Sequence, residues 1–249
     1  MDLGLRERVY IVTGATRGLG RAAADALVAD GARVVVSSRD ASAVQVAVGE
    51  LGGAERAVGV AADNADDATP DRLVAAARDS FRRLDGALIS VGGPPAGDVM
   101  SVTDEQWRTS FDSVFLGAVR LARTVASVVG AGGAVGLVLS TSVRSPIGGL
   151  AISNGLRLGL GMLAKTLADE LGPRGVRVFG LLPGRISTAR TMELTPDEQA
   201  RRGLAKQIPL RRFGEPAEFG RVAAFLLSPA ASYLTGVMIP VDGGALRTL

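Results

Sequence analysis

Short apolar runs alternate with helical stretches along the whole chain, and this alternation limits the possible folds more than any other feature. Strands are predicted at Arg8–Thr13, Arg33–Ser37, Arg56–Ala61, Gly86–Val91, Ala134–Ser140, Val176–Leu181 and Val237–Val241. Helices are predicted between them, over residues 18–30, 40–51, 70–83, 104–129, 152–172 and 216–228. Strands buried on both faces and followed by helices form a parallel sheet. The pattern therefore predicts one doubly wound α/β domain over residues 1–249, with a seven-stranded parallel sheet flanked by helices on both faces.

Two residue pairs resemble capping boxes, in which a threonine is followed three residues later by Gln or Glu. They are Thr103 with Gln106 and Thr195 with Glu198. Each pair predicts the start of a helix.

The composition removes several kinds of chemistry. The 249 residues include no cysteine and no histidine, so disulfides, thiol catalysis and the commonest metal ligands are excluded. No metal site is predicted. Lys165 and Lys206 are the only lysines, so almost all positive charge is arginine. With abundant alanine and glycine, this is typical of a GC-rich genome and favours a bacterial source.

Charge and hydropathy limit the expected partners. The net charge is +3, and acidic residues are interspersed among the basic ones, so the arginine pairs are interpreted as solvated faces rather than a nucleic-acid surface. The N-terminus is charged and lacks the apolar centre of a signal peptide. The longest uncharged run, 124–143, is broken by glycines and is no membrane span. We expect a soluble cytoplasmic protein without nucleic-acid or membrane partners.

A glycine-rich turn, TGATRGLG at residues 13–20, follows the first predicted strand and opens the first predicted helix. Glycines allow a tight turn and close backbone approach, and a helix N-terminus attracts a diphosphate. This context predicts a Rossmann-type dinucleotide site. Its candidate residues are Gly14, Thr16, Arg17, Gly18, Leu19 and Gly20.

The tip of the second strand indicates which dinucleotide binds. An acid there would hold a ribose 2′-hydroxyl and repel a 2′-phosphate, but this chain has Ser38 and Arg39, with Arg17 in the nearby turn. Two guanidinium groups favour a phosphate. Asp40 lies past the tip and is interpreted as the cap of the next helix. We therefore predict NADP(H) in preference to NAD(H).

Motifs spread over nearly the whole chain resemble the short-chain dehydrogenase/reductase family in its compact form. They are TGATRGLG, Asp63 after the third strand, Leu84-Asp85 and Gly92-Gly93 around the fourth, Pro183-Gly184 after the sixth, and RRFGEPAEFGRVAAFLLSPAASYLTGVMIPVDGG at 211–244. The resemblance implies hydride transfer between a nicotinamide and a carbonyl or alcohol, in a homotetramer or dimer. It also implies adenine contacts by Asp63 and Asn64, adenosine-ribose contacts by Val91, Gly92 and Gly93, and nicotinamide contacts by Pro183, Gly184, Ile186 and Thr188. A substrate flap is implied at about 185–210.

The chain departs from this family at the catalytic residues. No Tyr-x-x-x-Lys sequence occurs anywhere, and the positions of that pair hold Ser153 and Arg157. The family's asparagine position holds Val114. The family's serine is Ser140, or Ser142 if the intervening loop is two residues shorter. The segment that ends in Ser-Asn-x-x-Arg at 153–157 resembles that of a divergent subgroup of the family that shares this substitution.

Three interpretations remain. The first is an NADP(H)-dependent, ketoreductase-like enzyme with an atypical site formed by Ser140, Ser142, Ser153 and Arg157, in which arginine cannot pass a proton but can hold ribose hydroxyls or stabilise an alkoxide. The proton would come from water, from a substrate hydroxyl or through Ser153. The second is a dinucleotide-binding protein that has lost catalysis and acts as a sensor or partner subunit. The third is a different reaction, such as isomerisation or dehydration. Ser153 could instead cap its helix together with Asn154.

Overall fold

Seven parallel strands form one sheet at the centre of the molecule. The computed structural model describes residues 2–248. The strands are β1 (Val9–Thr13), β2 (Arg33–Ser38), β3 (Ala57–Ala61), β4 (Gly86–Ile89), β5 (Ala134–Val138), β6 (Arg177–Pro183) and β7 (Val237–Val241), in the spatial order β3-β2-β1-β4-β5-β6-β7. All pairings are parallel. The predicted α/β architecture is confirmed.

Helices cover both faces of the sheet. They are α1 (Gly18–Ala29), α2 (Ala41–Glu50), α3 (Thr69–Phe81), α4 (Asp104–Ser110), α5 (Gly117–Val128), α6 (Ala151–Leu171), α7 (Ala189–Leu194), α8 (Glu198–Ala205) and α9 (Pro216–Leu227). One apolar core forms where α3, α5 and α6 pack on the sheet, and a second forms under α1, α2 and α9. Within residues 2–248, no helix is long and apolar enough to cross a membrane.

The strand order locates the crevice of the fold. From β1 the chain moves outward to β2 and β3, then returns to the other side of β1 and continues through β4 to β7. Ligands of doubly wound sheets bind where this direction reverses, outside the carboxyl ends of the strands. In this protein, that point lies between the ends of β1 and β4.

Three local expectations need correction. The single helix predicted over 104–129 is interrupted by a π-helical segment, Phe111–Leu116, between α4 and α5. Helix α7 is not among the predicted helices, and α8 is predicted only by its start signal at Thr195 and Glu198. The expected capping box at Thr195 and Glu198 is wrong, because α8 is capped by Asp197, whose carboxylate accepts from the amides of Gln199 and Ala200. The capping box of Thr103 with Gln106 is confirmed.

Candidate cofactor and active site

The glycine turn after β1 leaves no room for larger residues. Gly14 and Gly18 have φ angles of +60° and +62°, in the left-handed region that glycine adopts most readily. A Cβ on Gly20 would lie 2.5 Å from the carbonyl oxygen of Gly14. Without a side chain at Gly20, the N-terminus of α1 lies close against the turn. No side chain caps the first amides of α1, so they can bind a diphosphate.

The loop after β4 is fixed to this turn. Thr13 Oγ1 donates to the carbonyl of Ser90 at 2.7 Å and accepts from the Ser90 amide at 2.9 Å. A Cβ on Gly14 would lie 2.9 Å from the same Ser90 carbonyl. The predicted ribose-contacting residues Val91, Gly92 and Gly93 follow directly, so they border the glycine turn.

The tip of β2 presents a cation to solvent. Ser38 is half-buried, and Arg39 and Arg17 are exposed. The Asp40 carboxylate accepts from the Ser42 hydroxyl and from two amides of α2, and these hydrogen bonds hold the pKa of Asp40 below its ordinary value. Asp40 is therefore the cap of α2, as expected.

Asp63 and Asn64 lie in the loop after β3, at the predicted adenine end of the crevice. The Asp63 carboxylate accepts from the amide of Ala65 at 3.0 Å. A Cβ on Gly117 would lie 2.2 Å from the carbonyl oxygen of Asn64, so α5 approaches this loop closely. Both candidate residues are thus half-buried in a fixed turn.

Ser140 and Ser142 follow the end of β5, and their environments differ. Ser140 is half-buried, and its Oγ accepts a hydrogen bond from the Ser142 amide at 3.1 Å. The Ser142 side chain is buried, and its Oγ has no hydrogen-bond partner within residues 2–248. Because the Ser140 hydroxyl is already an acceptor, its proton remains available for donation.

Ser153 and Arg157 lie one turn apart on α6, on its buried side. The helix begins at Ala151, so the alternative that Ser153 caps it is wrong. Arg157 Nη1 donates to the carbonyl of Val138 at 2.7 Å. Burial lowers the pKa of Arg157 to about 10, so the guanidinium remains charged at neutral pH.

Asn154 is occupied by its own loop. Its Oδ1 accepts from the amide of Ile147 at 3.1 Å, and its Nδ2 donates to the carbonyl of the same residue at 2.9 Å. The side chain therefore orders the segment between β5 and α6.

Val114, which the resemblance aligns with the family's asparagine, lies in an apolar environment. It packs with Ile152 and Leu156 in a small core at the start of α6. Its π-helical segment is an irregularity that is frequent at functional sites. This segment therefore presents an apolar side chain at the start of α6.

The segment after β6 approaches the glycine turn. A Cβ on Gly18 would lie 3.8 Å from Cγ2 of Thr188, and Thr188 caps α7. Ile186 is buried, and Pro183 and Gly184 are half-buried. Sequence reasoning missed Arg190, which donates to the carbonyl of Pro94 at 2.8 Å and so connects α7 to the loop after β4.

Neither tyrosine of the chain takes the place of the catalytic tyrosine that the family resemblance implies. Tyr10 is buried in β1 and donates to the carbonyl of Leu227, and burial raises its pKa to about 12. Tyr233 is fully exposed. Lys165 donates to the carbonyl of Gly236, and Lys206 follows α8 in the predicted flap.

Comparisons with known proteins agree with this geometry. A family model described as enoyl-(acyl carrier protein) reductase matches residues 14–245. Dehydrogenase/reductase SDR family member 4 of Homo sapiens is 35% identical, over 96% of this chain and 88% of the human protein. The short-chain dehydrogenase/reductase SDR:glucose/ribitol dehydrogenase of Brucella melitensis has a TM-score of 0.94 at 29% identity, over 100% of both chains. The L-sorbose reductase of Gluconobacter frateurii, crystallised with NADPH and L-sorbose, has a TM-score of 0.91 at 31% identity, also over 100% of both.

Sequence, fold and glycine turn lead to the same class of protein. The chain belongs to the short-chain dehydrogenase/reductase family of oxidoreductases, whose fold binds a nicotinamide dinucleotide.

Proposed function

We propose that the protein is an NADP(H)-dependent oxidoreductase that transfers hydride between the nicotinamide and a small carbonyl or alcohol substrate, with Ser140 in place of the usual tyrosine as the group that contacts the substrate oxygen. The observation that carries the proposal is the glycine turn, in which Gly14, Gly18 and Gly20 keep the amides of α1 open beside the loops after β4 and β6. The bound reduced nicotinamide would supply the hydride.

The protein's own residues would position the substrate and stabilise charge. The Ser140 hydroxyl would donate a hydrogen bond to the carbonyl oxygen of the substrate, on which negative charge develops. Arg157, which donates to the carbonyl of Val138 two residues before Ser140, would hold ribose hydroxyls. The new hydroxyl would take its proton from water, from a neighbouring substrate hydroxyl or through Ser153, since arginine does not release one.

The preference for NADP(H) rests on the tip of β2, where Arg39 is exposed and Asp40 is engaged in capping. Replacing Arg39 with alanine should weaken NADPH binding about 30-fold, because a charge-assisted hydrogen bond to the 2′-phosphate is lost. NADH binding should change less than about 3-fold, since it has no such phosphate. Fluorescence titration of both nucleotides measures this. Arg78→Ala on α3 is the matched control, and an equal loss for both nucleotides would contradict the assignment.

We also propose a homo-oligomer, a tetramer or dimer. Large apolar side chains are exposed on neighbouring helices, with Phe111 at 42%, Leu158 at 51% and Met162 at 67%. The α6 helix packs beside the α4–α5 segment, since a Cβ on Gly159 would lie 2.9 Å from the Phe115 ring. Such apolar patches mark association sites. Sedimentation should show a dimer or tetramer, and Met162→Glu should shift it to smaller species; a wild-type monomer would contradict this.

The buried Ser153 and Arg157 in place of the tyrosine and lysine favour one alternative, a dinucleotide-binding protein without catalysis. NADPH titration followed by a panel of ketones and aldehydes separates the two. Consumption of NADPH with any carbonyl supports the oxidoreductase. Tight NADPH binding without turnover over the whole panel would favour the silent sensor or partner subunit. Isomerisation or dehydration of a substrate in the presence of the bound nucleotide would appear as product formed without net NADPH consumption.

A further inference from the structure

Arg185 lies at the same edge of the sheet as the candidate active site. Ser140 follows β5 by two residues, and Arg185 follows β6 by two residues. The two strands are neighbours, paired as far as Val138 with Leu181, and the Leu139 amide donates to the Leu181 carbonyl at 2.8 Å. The two side chains therefore start from adjacent strand ends.

The backbone at Arg185 is held on both sides. Its carbonyl accepts from the Gly214 amide at 2.9 Å, and the Ser187 amide donates to the Gly214 carbonyl at 2.8 Å. Between these bonds, Ile186 is buried against Gly214. Because successive side chains of an extended segment point to opposite sides, Arg185 projects away from this contact.

Among the partly or fully buried arginines of residues 2–248, Arg185 alone has a guanidinium without a protein acceptor. It makes no hydrogen bond and no ion pair with any of those residues, and burial lowers its pKa. Seven others at comparable or greater burial each have a protein acceptor: Arg8, Arg21, Arg33, Arg120, Arg157, Arg177 and Arg201. A desolvated cation without an acceptor is unfavourable and gains most when an anion binds.

The acids near this segment are already engaged. Glu218, beside Gly214, receives two hydrogen bonds from Arg212, which lower the Glu218 pKa to about 2. Asp242, beside Gly184, accepts from the amides of Gly244 and Leu246. Neither acid forms an ion pair with Arg185, so the guanidinium is available to an anion of a bound ligand.

We propose that Arg185 binds a carboxylate of the substrate, so that the substrate class is a carbonyl compound carrying a carboxylate. The proposal rests on the proposed hydride transfer at Ser140. A planar guanidinium pairs with a carboxylate through two parallel hydrogen bonds. Arg185 would thereby fix the orientation of the carbonyl relative to Ser140.

The first test compares 2-oxo-4-phenylbutanoate with its uncharged ethyl ester in NADPH-dependent reduction. We expect kcat/KM to favour the acid by about 10-fold or more, and Arg185→Met to reduce this ratio to about 1. Arg185→Lys should restore part of the ratio, and the exposed Arg78→Met should leave it intact. A ratio that is the same in wild type and Arg185→Met would overturn the proposal.

The second test measures binding without turnover. Calorimetry on the NADP⁺-loaded protein should show 3-phenylpropanoate binding about 10-fold tighter than 3-phenylpropanamide, with the difference lost in Arg185→Met. An NADPH affinity that falls as much as the carboxylate affinity would assign Arg185 to the cofactor and overturn the proposal. Carboxylate binding that depends on Arg185, without reduction of these two ketones or of any carbonyl in the panel, would contradict the proposed hydride transfer while still assigning Arg185 to a carboxylate. Reduction of the acid and the ester at equal rates would support the proposed hydride transfer and refute the carboxylate site at Arg185.

Discussion

Replacing Ser140 with alanine is expected to lower kcat about 100-fold while NADPH affinity stays within about 3-fold, because one hydrogen-bond donor to a developing oxyanion is worth that factor. The Ser140 hydroxyl already accepts from the Ser142 amide, so its proton is free for the substrate oxygen. Ser140→Thr keeps the hydroxyl and should recover much of the rate. Single-turnover reduction of the best carbonyl of the panel measures the effect.

Ser142→Ala is the matched control for this prediction. The Ser142 Oγ is enclosed and has no partner in the described part of the chain, so its removal costs no hydrogen bond. The rate and the free energy of unfolding should stay close to those of the wild type. If Ser142→Ala lowers kcat as Ser140→Ala should, while Ser140→Ala does not, the roles of the two serines are reversed.

Gly20→Ala should weaken NADPH binding about 100-fold, which corresponds to roughly 2.7 kcal/mol. The added methyl would lie 2.5 Å from the Gly14 carbonyl oxygen and 2.9 Å from that of Thr13. Both are backbone atoms, so α1 must move away from the turn, and the amides that would hold the diphosphate move with it. Fluorescence titration measures the affinity, and circular dichroism verifies that the chain is folded.

Gly49→Ala provides a control in the same kind of structure. Gly49 also lies in a helix, α2, but a Cβ there has nothing within 4 Å. Alanine should therefore leave NADPH affinity unchanged and stabilise the helix by up to about 1 kcal/mol. Equal NADPH affinities in Gly20→Ala and the wild type would refute the glycine turn as the cofactor site.

The fold was predictable because its signals are local and repeated. Apolar runs such as Val9–Thr13 and Ala134–Val138 are buried along their whole length, and this property is visible in sequence. The same holds for Gly14, Gly18 and Gly20, whose spacing directly after a strand is typical of a dinucleotide-binding turn. The π-helical segment at Phe111–Leu116 was missed, since one inserted residue changes a hydrophobic pattern very little.

For the candidate active site, the sequence predicts which residues take part but not how they are buried or oriented. The family resemblance predicts Ser153 and Arg157 at the positions of the family's tyrosine and lysine, but their burial depends on how α6 packs on β5. Whether Ser140 or Ser142 is enclosed depends on a short turn that no periodicity reports. Arg185 is inconspicuous in sequence, and its missing acceptor becomes evident only when every other half-buried arginine has been assigned one.

The hydrogen bond between Arg190 and Pro94 has a consequence for access to the crevice. It joins the first turn of α7 to the loop after β4, two segments that reach the crevice from different strands. A ligand that passed between these two segments would have to break this hydrogen bond, so its entry would be coupled to a movement of α7.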